Sequence, residues 1–391
     1  MKTKFLNTRY TLMQASYWSV FCALNGYAAV YLDGKGFSAG QTGSILAAAN
    51  IIAAFLQPAA AAKADRQGKF SLKEITVALG VLCMLASVLM CLPNRNFWMV
   101  CALFAVGSVS IQSLQPMVNA VSMYYYNRGE NMNFGLARGT GSIAYAGVSY
   151  VIGILTSRLG VTVVPAVAVI SLVIFLGIAL SFRIQKTPQE GGEGQRTSSS
   201  GFAGILKQYP RFGVLLLGII FMFVFHFFTN TYMFQMVQAV GGDSSHMGMA
   251  VSIAAISELP VMFFFSKIVE RIPIKKLLRF AGVLWFVKAV IFCFCTSVLG
   301  IYLTQILQML AYGLYIPASV YYANQLMDEK NKVKGQAMVT MAFTVGSVFG
   351  NFLGGKLIDW YGVREMLIVG AVCTAIGAVL FFIGTGADEK R

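Results

Sequence analysis

Charge is what this chain has least of. Only 12% of its 391 residues are Asp, Glu, Lys or Arg, about half the share of a soluble domain. Histidine is scarcer still, at two: His226 and His246. There are no clustered acids, no Ser/His/Asp set and no histidines at metal-ligand spacing from the cysteines, so neither an enzyme nor a metal site nor another cofactor is expected. All seven cysteines (22, 83, 91, 101, 293, 295, 373) fall in hydrophobic segments. Lone thiols there serve as small packing residues, and no disulfide framework is implied. The chain also lacks a Gly-x-x-x-x-Gly-Lys-[Ser/Thr] run, which excludes a phosphate-cradling ATP site and leaves an ion gradient, expected to be protons, as the energy source.

What is present is hydrophobic length. The chain is 57% hydrophobic, and twelve segments reach the roughly 20 residues that cross a bilayer. They fall at about 11–32, 41–62, 74–92, 97–122, 135–157, 161–182, 211–238, 246–266, 277–296, 298–323, 335–357 and 363–384. The expected fold is therefore an all-α integral membrane protein with twelve transmembrane helices. The basic start, Met1 to Arg9, runs into a long apolar stretch without a small-residue cleavage site, which reads as a first span that stays.

The net charge of +15 looks like a nucleic-acid footprint until its distribution is followed. Basic residues gather in alternate loops: Lys2, Lys4 and Arg9; Lys63, Arg66, Lys69 and Lys73; Arg183, Lys186, Arg196, Lys207 and Arg211; Lys267, Arg271, Lys275, Lys276 and Arg279; Lys330, Lys332 and Lys334. The other loops hold little beyond Lys35, Arg95, Arg158, Lys356 and Arg364. That positive-inside bias puts both termini in the cytoplasm of a cell membrane. The expected partners are the lipid bilayer and a small solute, not nucleic acid.

The polar stretch from Gln185 to Gly201 is rich in Gly, Ser and Glu, the composition of a flexible linker. It divides the chain into a six-helix half at 1–182, a cytoplasmic linker at 183–210, a second six-helix half at 211–384 and a tail at 385–391. The halves echo each other weakly. Gln57-Pro58 leads into Lys63, Asp65, Arg66 and Lys69, while Pro260 leads into Lys267, Glu270, Arg271 and Lys275. Two pseudo-symmetric halves with a site at midplane are a common secondary-transporter plan. Gly346, Gly350 and Gly354, four apart, read as a close helix–helix contact.

Three charges lie inside spans: Arg138, Glu258 and Lys288. Intramembrane charges face the bundle interior, where they pair or line a pathway. An interhelical Glu258–Lys288 pair that only braces the second half is the alternative to a functional role. Gln112, Gln115 and Asn119 form one helical stripe in span four, and Gln305, Gln308 and Tyr312 form another in span ten. These read either as cavity walls or as helix–helix hydrogen bonds. Span seven offers His226, Asn230, Tyr232 and Gln235, and a lone histidine there is more often a packing residue than a proton relay. Tyr17, Trp18, Tyr27 and Tyr31 in span one read as interface anchors, although Tyr27 and Tyr31 are equally compatible with a cavity.

Asn133-Phe134-Gly135-Leu136-Ala137-Arg138, with Tyr145 seven residues on, resembles a segment of the major facilitator superfamily. The branch is that of the oligosaccharide:proton symporters (the lactose permease type) and the 3-phenylpropionate permease-like proteins. The resemblance implies that Arg138 binds sugar hydroxyls and that Tyr145 stacks on a sugar ring. Gln57-Pro58 followed by Asp65, Arg66, Gly68 and Lys69 is similar to the superfamily's cytoplasmic gating motif, with Ala61 at its leading glycine. Ser257-Glu258-Leu259-Pro260 resembles the span-eight segment whose Glu contacts substrate, and Lys288 stands at a base tied to proton coupling. The sequence departs from the branch at Asn119, where an acid partners the binding Arg, and at Gln305, Gln308 and Ala311, where Lys, His and Glu stand. Ala311 removes the usual proton-carrying carboxylate, which leaves Glu258 as the candidate.

The expectation is a monomeric, proton-coupled importer of a sugar or glycoside. Asn119, Arg138, Tyr145, Asn230, Tyr232, Glu258 and Gln308 would bind substrate, Glu258 and Lys288 would couple protons, and Asp65, Arg66 and Lys69 would gate. Symport of an organic anion, aromatic carboxylate or nucleoside, drug efflux, and a non-transporting receptor are the alternatives.

Overall fold

The computed structural model describes residues 2–65, 71–93, 96–126, 128–130, 132–184, 202–328 and 331–386. Among them there are helices and turns but no strand. The chain divides into two compact units, Met1–Glu190 with Asp243–Ser252, and Gly191–Gly242 with Ile253–Arg391.

The first unit holds α1 (Lys2–Phe21), a π-helical turn at Cys22–Gly26, α2 (Ala28–Asp33), α3 (Ala39–Asp65), α4 (Leu72–Cys91), α5 (Phe97–Tyr126), α6 (Phe134–Leu159) and α7 (Val163–Ser181). The remaining helices are α8 (Phe202–Gln208), α9 (Pro210–Thr231), α10 (Met233–Ala239), α11 (Ser244–Arg271), α12 (Ile274–Cys293) and α13 (Val298–Ile306). A 3-10 turn at Leu307–Met309 then leads to α14 (Tyr312–Leu326), α15 (Lys332–Tyr361) and α16 (Val363–Gly384). All of these belong to the second unit except the first residues of α11, which count with the first.

Each of the twelve apolar segments is helical. Ten helices among the described residues are long and apolar enough to cross a membrane. Two expected spans miss that measure for visible reasons. The π turn cuts the first span into α1 and α2, and α12 carries Lys275, Lys276, Arg279 and Lys288. The protein is a multi-pass helical membrane protein.

Local chemistry sets the helix ends. Ser71 and Glu74 close a reciprocal capping box on α4, with Glu74 N–H donating to Ser71 Oγ at 3.2 Å and Ser71 N–H to Glu74 Oε2 at 2.7 Å. Such a box satisfies two orphan donors of the first turn. Asn133 Oδ1 accepts from Leu136 N–H at 2.9 Å and starts α6, and Gly160, at φ +88°, ends it in a conformation that excludes a Cβ.

In the second unit the glycine stripe is a packing seam. A Cβ on Gly346 would strike Phe223, one on Gly350 would strike Phe227 and Val224, and one on Gly354 would strike Tyr232 and Phe228. Backbone contact at this range is how helices associate without a hydrophobic driving force.

Span one is built differently from the expectation of interface anchors. Tyr17, Tyr27 and Tyr31 are 1%, 0% and 1% exposed. Their hydroxyls donate to the carbonyls of Ile111 at 3.2 Å, Ser149 at 2.5 Å and Met90 at 3.2 Å. A buried phenol needs such an acceptor, and carbonyls of α5, α6 and α4 supply one to each ring.

The start of α11 is held on α6 by small residues. Ser244 Oγ donates to Gly153 O at 3.1 Å and Ser252 Oγ to Ala146 O at 2.7 Å, while Ser149 Oγ donates to Gly248 O at 3.4 Å. A Cβ on either Gly153 or Gly248 would come within 2.6 Å of a backbone oxygen of the other helix. Asp243 precedes this contact. Partial burial pulls its carboxyl upward, but donors from Ser245 and His246 outweigh that and hold it at about 2. Its charge is therefore present above the ordinary carboxylate range and is lost only as pH falls toward 2.

Candidate functional site

Polar side chains gather in each unit, and each group is built by helices that are otherwise apolar. In the first unit the centre is Arg138 on α6. Its guanidinium carbon lies 3.9 Å from the centroid of the Trp18 ring, a cation–π contact. Its Nη1 donates to Ser142 Oγ, one turn on, at 2.9 Å. Trp18 is in turn held by α1: its Nε1–H donates to Gln14 Oε1 at 3.2 Å. Gln14 Nε2 donates to Tyr10 Oη at 2.8 Å and to Asn119 Oδ1 at 3.2 Å. Gln14 is 1% exposed, so Asn119 on α5 is tied to α1 through a buried amide. Tyr145 meets Trp18 edge to face at 6.4 Å. Gly141 leaves the room Trp18 occupies, since a Cβ there would overlap the indole.

Of the residues expected to bind substrate, Asn119, Arg138 and Tyr145 are thus brought together, and each is only part-buried. Sequence reasoning missed Gln14 and Trp18, which join them. Their signal was available: Tyr10, Gln14 and Trp18 lie at i, i+4 and i+8 on one face of α1.

In the second unit the centre is Lys288 on α12, 2% exposed. Its ammonium donates to Gln305 Oε1 at 2.9 Å and to Gln308 Oε1 at 2.5 Å. Both glutamines are buried, and the 3-10 turn at Leu307–Met309 falls between α13 and α14 where they sit. Broken helices in spans are a recurrent way to present polar groups at a transport site. Glu258 on α11 packs against Gly313 of α14, where a Cβ would come within 3.3 Å of the Glu258 side chain. His226 stacks on Tyr312 at 4.5 Å with the rings 4° from parallel, beside Trp285 and Phe223, which is a packing role.

Asn230 is exposed at the end of α9. Tyr232 is fully buried, its hydroxyl donating to Asn351 O at 2.5 Å and its ring against Gly354. It belongs to the α9–α15 seam and is not brought to the Lys288 group. Arg66 and Lys69 lie outside the described residues, as does the side chain of Asp65 at the end of α3.

The amide cradle around Lys288 makes a stability prediction. An ammonium stripped of its partners in a low-dielectric interior is strongly destabilising, by about 3–5 kcal/mol, whereas an apolar replacement of the whole group is tolerated. Joint Gln305→Leu and Gln308→Leu substitution is expected to lower thermal stability in detergent by roughly 3 kcal/mol. Adding Lys288→Met to that pair is expected to restore most of it. A double variant as stable as the parent would show that the cradle does not hold the charge.

Helices long and apolar enough to cross a membrane bury these polar clusters. Residues 8–369 match the MFS_1 like family, and the chain belongs to that family and is a secondary transporter. It is 24% identical over 298 residues, 74% of each chain, to a protein of Geobacillus stearothermophilus named maltose permease. It is 23% identical over 364 residues, 90% of this chain and 87% of the other, to the Bacillus subtilis (strain 168) protein named uncharacterized transporter YwbF. Among solved structures it shares its fold with the nucleoside transporter NupG (D323A mutant), at TM-score 0.82 and 15% identity over 97% of this chain and 98% of the other. It shares it also with a bacterial homologue of the lysosomal transporter Spinster, at TM-score 0.70 and 14% identity over 98% and 97%.

Proposed function

We propose that the protein imports a neutral saccharide across the cytoplasmic membrane in symport with protons, with Glu258 as the proton-carrying group. The observation that carries this reading is the state of Lys288. Counted from sequence, the spans hold two bases and one acid, an imbalance that favours an anionic solute. Lys288, however, is buried and held by two neutral amides, so it is not offered to a ligand. With Lys288 so held, the intramembrane base that is only part-buried is Arg138 in the first unit, and the excess of bases that would favour a carboxylate over an uncharged polyol is gone.

The chemistry of the first unit supports the same class. A guanidinium stacked on an indole presents planar donors, Asn119 adds an amide, and Tyr145 and Trp18 add ring faces. Hydroxyl-rich rings with apolar C–H faces are recognised by such a combination of donors and aromatic surface. The similarity to a protein named maltose permease points the same way, and maltose is the first probe.

A thermal-shift series on the purified protein separates the classes, because a ligand that binds the folded state raises apparent stability. Maltose at about a hundred times its Kd should stabilise by roughly 2.7 kcal/mol. Stabilisation by nucleosides or aromatic carboxylates, with none by any saccharide, would overturn the assignment.

A further inference from the structure

The π turn at Cys22–Gly26 interrupts span one in the middle of the polar cluster's helix, and it has a polar side chain on it. Tyr27 N–H bonds Cys22 O at 3.0 Å across the turn. A single π turn inside an α-helix shifts the face that the following residues present, and such turns concentrate at functional sites. Here the turn carries Asn25.

Asn25 uses one end of its amide toward α5. Ser108 Oγ–H donates to Asn25 Oδ1 at 2.7 Å, and Ser108 Oγ accepts from Gln112 Nε2–H at 3.1 Å. With Ser108 as the donor, Asn25 Oδ1 is the acceptor. Its Nδ2 therefore carries the two N–H groups away from Ser108, and that atom is buried without a hydrogen-bond partner. A buried donor left unmade is costly, and an unsatisfied group in a native structure calls for a guest.

The surroundings say which guest. Asn25 lies seven residues beyond Trp18, and a Cβ on the adjacent Gly26 would come within 2.7 Å of Tyr145 Oη. Asn25 is thus next in the chain to a glycine packed against Tyr145 of the Arg138–Trp18–Tyr145 group. We infer that Asn25 is a specificity-determining residue whose Nδ2–H groups donate to an oxygen acceptor of the transported saccharide, with Ser108 and Gln112 as the residues that aim it. The inference rests on the saccharide reading above and extends the site by one subsite on span one.

The test measures the affinity of the purified full chain for maltose and for singly deoxygenated maltose analogues. Wild type should lose about tenfold on one analogue, the value of one hydrogen bond to a buried donor. Asn25→Leu and Asn25→Asp, which remove the donors with and without loss of the Ser108 bond, should each weaken maltose about tenfold and no longer discriminate that analogue. Two variants are used because a charge at this depth can prevent folding. Wild-type affinity and discrimination in either folded variant would overturn the role of Asn25 and leave the saccharide reading standing, as would a gain in stability with no change in affinity, the result for a trapped water. Absence of maltose binding by the wild type would overturn both.

Discussion

Arg138→Ala should weaken saccharide recognition strongly while leaving the protein folded. Charged hydrogen bonds of this kind contribute about 1.5–3 kcal/mol each, so loss of the guanidinium is expected to weaken maltose binding roughly a hundredfold. Arg138→Lys should recover little. An ammonium keeps the charge but has neither the planar fork that bonds two hydroxyls at once nor the flat face that lies on Trp18, whose ring centroid is 3.9 Å from the guanidinium. Arg138 contacts Ser142 and Trp18, both within its own unit, so the unliganded melting temperature should move far less than the affinity. Titration by isothermal calorimetry, with thermal unfolding as the control, checks both halves of the statement. A folded Arg138→Ala protein that binds maltose as wild type does would remove Arg138 from the site.

Glu258→Gln should separate transport from coupling. Glutamine keeps the size of the side chain packed against Gly313 and keeps hydrogen-bonding capacity, but it cannot change charge. Counterflow exchange of labelled maltose is expected to continue, while accumulation against a gradient falls to equilibration. A pH step of one unit supplies about 1.4 kcal/mol, enough for a tenfold accumulation at one proton per solute, so the expected drop is from about tenfold to about onefold. The geometry around Lys288 shapes this expectation. Its ammonium is bonded to Gln305 and Gln308, so neutralising Glu258 does not leave Lys288 bare. The charge change is therefore a modest bias on the contact between α11 and its neighbours in the second unit, which is what a cycle that must reverse requires. Uphill accumulation that survives in Glu258→Gln would assign coupling to another group.

The spans were legible because each depends on a run of apolar residues long enough to cross a bilayer, a property of one segment alone. Even the two that escaped the length and hydropathy measure, the broken first span and the lysine-bearing α12, were visible in the alternation of apolar runs and basic loops. The packing of Gly346, Gly350 and Gly354 was legible for the same reason, since the repeat lies on one helix. What the sequence could not supply was the identity of partners. The stripes at Gln112 to Asn119 and Gln305 to Tyr312 allowed either cavity walls or helix–helix bonds. The structure gives Asn119 to Gln14 and the two span-ten glutamines to Lys288. Such pairs join residues 17 to 105 positions apart, and only the fold decides them. The span-one tyrosines failed as interface anchors because aromatic residues near a span end carry the same signal whether they point to headgroups or to a neighbouring carbonyl. The π turn at Asn25 had no signal in the residues that make it.

The central claim is proton-driven uptake of a saccharide, and the most direct measurement is labelled maltose entry into proteoliposomes under an imposed inward pH gradient. The account predicts accumulation above the external concentration that collapses on adding a protonophore. Maltose that only equilibrates, at the same rate with and without the gradient, would contradict it.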